Sequence, residues 1–166
     1  MSPKSSPAQK ERQLRKGIVS TPFTLSIVSF HTAVHVVSVS KLWYQTRPWI
    51  DIPIHIWGGI TITIVFFWLF DRPLFHSGFR PSRGVVALFA ISFVALVGVG
   101  WEFIEFLYDA FLAYPYHLQA AQLGLADTLA DLLNDLMGGG IAVAAMYFLP
   151  KTRRALSFAH AHPIGE

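Results

Sequence analysis

The residues whose types and spacing could do chemistry are His31 with His35, Asp51 with His55, Glu102 with Glu105 and Asp109, and Asp127 with Asp131, Asn134 and Asp135. Positions three, four and seven apart share one face of a helix, so each set can point one way if its segment is helical. Imidazoles and carboxylates together form ligand sets for divalent zinc, manganese or iron, and a carboxylate left over can act as general base toward an activated water. The chain has no cysteine, which removes thiolate ligands, disulfides and cysteine nucleophiles.

On this reading a divalent metal is expected on some of His31, His35, His55, Glu102, Glu105, Asp131 and Asp135, with Glu102, Glu105 and Asp131 as the catalytic carboxylates. Asp135 lies off the face shared by Asp127, Asp131 and Asn134. Three acids have plainer roles. Asp51, ahead of Ile52-Pro53, reads as the cap of its helix, Asp127 as the cap of another, and Asp109 as a solvated helix end.

The elements that must carry these residues are apolar. The 166 residues are 53% hydrophobic and 14% charged, with a mean hydropathy of +0.46, which marks an integral membrane protein rather than a soluble domain. Four stretches approach the roughly 20 residues that cross about 30 Å of hydrocarbon: Ile18–Val39, Ile50–Phe70, Gly84–Leu107 and Leu125–Leu149. The expected fold is all-α, a compact bundle of about four transmembrane helices over residues 17–150, between a flexible basic tail (1–16) and a C-terminal tail (151–166). The first stretch is interrupted by Thr21, Thr24, Ser26, Ser29, Thr32 and two histidines, and so is expected to pack against the other helices as a bundle member.

Charge sets the orientation. Eleven Lys and Arg residues flank one end of the stretches, in the two tails and the 71–83 loop, against only Lys41 and Arg47 at the other. The positive-inside rule then places both termini in the cytoplasm and the loops near 40–49 and 109–124 outside, in a multi-pass protein of the inner (plasma) membrane. These basic segments suit anionic lipid and topology, not nucleic acid. Trp43, Tyr44, Trp49, Tyr108, Tyr114, Tyr116 and Trp68 read as interfacial anchors, and Gly98, Gly100 and Gly138-Gly139-Gly140 as close-packing positions.

Antiparallel helices bring all four polar sets to one level near the outer face. Seven of the ten acidic residues and three of the seven histidines fall there. Carboxylates crowded in one layer of a bilayer repel one another and need cations, shared protons or water, which a divalent metal would supply.

Gly100-Trp101-Glu102-Phe103-Ile104-Glu105-Phe106, followed by the run from Asp127 to Gly139, resembles the YjdF-type bacterial inner-membrane proteins and, more distantly, VanZ-like proteins. A VanZ-like protein more often presents Glu-x-x-Gln, from which Glu105 departs. The resemblance implies a small polytopic fold, and its VanZ side implies envelope or lipid-linked substrates. Three functions stay open. One is a metal-dependent enzyme acting on membrane lipids or a lipid-linked substrate at the outer leaflet. The others are a proton- or cation-coupled transporter, and a non-catalytic protein whose polar layer stabilises the bundle. The bundle could work alone or as a homo-oligomer.

Overall fold

The computed structural model describes residues 18–75 and 81–148, and the side chains of all of these except 71–75. The two tails, with most of the basic residues that set the expected orientation, lie outside the described residues. Four long helices carry the fold: α1 (Thr21–Ser40), α2 (Asp51–Phe75), α3 (Arg83–Tyr108) and α4 (Leu125–Phe148). Among the described residues there is no strand. All four are long and apolar enough to cross a membrane.

Two boundaries differ from the sequence reading. A 3₁₀ turn, Pro48–Ile50, feeds straight into α2, so Asp51 has helical angles (φ −60°, ψ −46°) instead of the extended ones of an N-cap. Beyond α3 the chain continues through a π-turn, Asp109–Ala113, and a last turn, Tyr114–Tyr116, to a left-handed His117 (φ 55°). The extra residue of the π-turn rotates the following side chains relative to α3, as such bulges do.

The closest approach in the bundle is between α2 and α4. A Cβ placed on Gly59 would lie 1.9 Å from the Asp135 carbonyl oxygen, and one on Gly138 1.9 Å from the Ile56 carbonyl oxygen. Only glycine permits backbones to meet in this way, the small-residue packing expected where lipid gives no hydrophobic drive between helices. Helix α3 packs on both α2 and α4, whereas α1 packs along α2 and not closely on α3 or α4.

Helix α1 is thus a member of the bundle through α2, as its polar residues led one to expect. Its hydroxyls bond to its own backbone: Thr24 to Ser20 O, Thr32 to Val28 O, Ser38 to Val34 O and Ser40 to Val36 O. A hydroxyl satisfied within its helix costs little to place in hydrocarbon. Among the described residues α1 is largely uncovered by protein, with Phe23, Leu25, Phe30 and Val36 all more than half exposed.

Polarity divides the bundle along its length. At one end Phe66, Phe67, Val86, Ala90, Val143 and Met146 make a dry core, tied by Tyr147 Oη donating to the Arg83 carbonyl and by Trp68 Nε1 donating to Thr21 Oγ1. At the other end are the ionisable residues.

Candidate metal centre

His55, on the second turn of α2, is buried at 8% exposure and ringed by three carboxylates. Its Nε2 lies 3.4 Å from Asp51 Oδ1 and 3.7 Å from Asp131 Oδ1, and its Nδ1 lies 3.3 Å from Asp135 Oδ1. Asp51 reaches it because the two are one helical turn apart, and the α4 acids reach it because the glycine crossing brings α4 against α2. One ligand atom from each of Asp51, His55 and Asp131 falls within 4.8 Å of the others. Four-coordinate metal bonds of about 2.1 Å put ligand atoms about 3.4 Å apart, so small side-chain adjustments would close this set on an ion.

Asp135 is where the spacing argument needs correction. It is off the Asp127/Asp131/Asn134 face, yet it points inward, because Asp127, Asp131 and Asp135 form their own i, i+4, i+8 row toward α2. Room for its carboxylate comes from two glycines. A Cβ on Gly98 would stand 2.8 Å from Asp135 Oδ2, and one on Gly58 3.3 Å from Oδ1. A carboxylate on the far nitrogen of a histidine fixes the ring and leaves Nε2 for a metal, an arrangement that recurs around metal-bound histidines.

The cluster opens on a cavity of about 390 Å³ bounded by all four long helices and the 119–123 segment. His31, His35, Glu105, Asp131 and Asp135 line it, together with Asp51 and His55, and among the described residues no Lys or Arg does. His31 and His35 face the cavity from α1 but are not in the three-residue group. His35 Nδ1 is 2.8 Å from Tyr44 Oη, and its ring meets that of Trp101 edge-on at 5.1 Å. Trp101 Nε1 in turn donates to Glu105 Oε1 at 2.7 Å. A continuous chain thus runs Tyr44–His35–Trp101–Glu105 from the loop after α1 across to α3. Burial first, then the charges of Asp51, Glu105 and Asp131, hold the Tyr44 phenol above its usual range, so it keeps its proton.

Glu102 sits behind this wall. Its Oε2 and its carbonyl oxygen both accept from Gln122 Nε2 at 3.1 Å, while Oε1 is buried without a partner among the described residues. Asp109, expected as a solvated end, is 3% exposed and accepts from the Ala121 and Gln122 amides at 2.6 and 3.0 Å. The π-turn aims it there. Asp127, expected as a cap, is instead the third residue of α4, from where it accepts from Leu123 N ahead of the helix. Together these acids hold the segment that roofs the cavity.

Sequence reasoning therefore undervalued Asp51 and missed Tyr44, Trp101 and Gln122. The four-residue spacings Asp51/His55 and Trp101/Glu105 were visible signals. Nothing in the spacing of Gln122 marked it.

The fold and the site define an integral membrane protein of four candidate spans with a buried His/Asp cluster at one end. The chain belongs to the family described as "Predicted membrane protein (DUF2238)", which matches residues 12–152. That description makes it a membrane-protein family, as the resemblance implied, and carries neither the YjdF nor the VanZ name. No curated protein and no solved structure matches the chain.

Proposed function

We propose that the protein is a metal-dependent enzyme of the inner membrane, with both termini cytoplasmic, acting at the outer leaflet on a lipid or lipid-linked envelope substrate. The observation that carries this reading is the convergence of Asp51, His55 and Asp131 within 4.8 Å at a cavity wall. Asp135 orients the imidazole through Nδ1, and Glu105, on the same cavity, is the general base. A divalent ion held there supplies Lewis acidity and an activated water at neutral pH. Among the described residues no Lys or Arg lines the cavity, so recognition of an anionic headgroup would fall to such an ion.

The dry core at the opposite end speaks against a continuous polar path through one copy. The buried Thr61 and Thr63 between the site and that core spend their hydroxyls on Trp57 O and Gly59 O. A conduit needs side chains free to pass an ion or proton.

Metal content by mass spectrometry on detergent-purified protein tests the reading. Near-stoichiometric zinc, manganese or iron is expected in the wild type and in Glu102→Gln, and loss of it in Asp51→Asn/Asp131→Asn. A wild type that takes up none of these metals after reconstitution overturns it.

A further inference from the structure

The cavity has a polarity gradient along the bundle. Asp51, His55 and Asp131 are at its loop end, and Ile62, Val94 and Val97 line its deeper part. Ile62 lies seven residues beyond His55 on α2, and Val94 seven before Trp101 on α3, each about 10 Å further toward the bilayer middle at 1.5 Å per residue. The cavity also has an unclosed side. Helices α1 and α3 both contribute to its wall, yet α1 packs on α2 and not closely on α3. The rim residues Val39 of α1 and Ile104 of α3 are 51% and 58% exposed. Only the edge-on contact of His35 with Trp101 spans the gap as a ring contact among the described residues.

A cleft between two membrane-spanning helices, polar at the interface and apolar toward the bilayer centre, has the polarity of a lipid and opens toward lipid. We propose that a diacyl glycerophospholipid enters sideways between α1 and α3. One acyl chain lies against Ile62 and Val97, and the headgroup rises past the His35–Trp101 crossbar toward Asp51, His55 and Asp131. The chain slot stands on the cleft alone, and the headgroup placement rests on the metal reading above. The apolar slot is what such a ligand requires, since burial of each methylene against protein only replaces its burial in lipid and shape decides occupancy.

The test is photolabelling of the full chain in vesicles of phosphatidylethanolamine and phosphatidylglycerol, a fraction of the latter carrying a diazirine in one acyl chain. Adducts mapped by mass spectrometry are expected on Ile62 or Val97, besides those on the lipid-facing Leu96 and Phe103 (69% and 62% exposed). In Val97→Trp the slot adducts should fall about tenfold, the equivalent of an affinity loss of about 1.4 kcal/mol. Leu96 and Phe103 adducts should persist and report an intact fold, and Val97→Phe serves if the indole prevents assembly. Adducts confined to Leu96 and Phe103 in the wild type overturn the slot. Slot adducts in a protein without metal support the slot and overturn only the metal reading.

Discussion

Asp135 Oδ1 and His55 Nδ1 lie 3.3 Å apart where α2 and α4 cross at their glycines, and both residues are at least 91% buried. Two residues eighty positions apart are held there by backbone contact and not by side-chain reach. If Asp135 sets the imidazole orientation for a metal, Asp135→Asn should leave the helices assembled and weaken metal binding by roughly 10- to 100-fold. Competition with a chelator, read by isothermal titration, checks the number. An unchanged affinity would make Asp135 a purely structural partner of His55.

The glycine crossing predicts a sharp positional contrast. Gly59→Ala and Gly138→Ala place a methyl carbon 1.9 Å from a carbonyl oxygen of the facing helix, so the helices must separate. Both variants should lose the wild-type elution peak in size-exclusion chromatography and much of their metal. Gly100→Ala and Gly140→Ala meet nothing within 4 Å among the described residues and should be neutral or stabilising by up to about 1 kcal/mol, the ordinary gain of alanine over glycine in a helix.

Asp109 makes a prediction about the roof. Removing its carboxylate in Asp109→Ala leaves the part-buried Ala121 and Gln122 amides without their acceptor, a loss of about 1 kcal/mol for each, the low end of the range for buried donors. Hydrogen exchange at those two amides should rise by about tenfold or more while protection along α2 stays as in the wild type. Equal exchange in both proteins would mean that other contacts hold the segment.

Tyr44 sets a pH dependence whose sign follows from its environment. Its phenol is held above the usual value by burial and then by nearby carboxylates, so the folded protein favours the protonated form more than the unfolded chain does. The stability this gives is fully present below the unfolded value of about 10 and is lost as pH rises beyond it. The thermal midpoint in detergent should therefore fall more steeply above about pH 10 for the wild type than for Tyr44→Phe, and the two should run parallel from pH 6 to 9.

What the sequence by itself determined is the class and the level of the polar layer. Four apolar stretches of membrane length define the helices, and their antiparallel order puts His35, His55, Glu105 and Asp131 at one height. Short-range spacing carries that much because a helix repeats every 3.6 residues and a bilayer has one thickness. It could not say which acids meet His55. That depended on the rotation of α4 against α2, which Gly59 and Gly138 decide by letting two backbones touch, and on the notches at Gly58 and Gly98 that admit the Asp135 carboxylate. It also could not separate Glu102 from Glu105. Three residues apart on α3, they share a face by spacing, yet one meets Trp101 at the cavity and the other meets Gln122 behind it. A helical face is about 100° wide, and only the neighbours packed against it decide which part of that arc is cavity and which is wall.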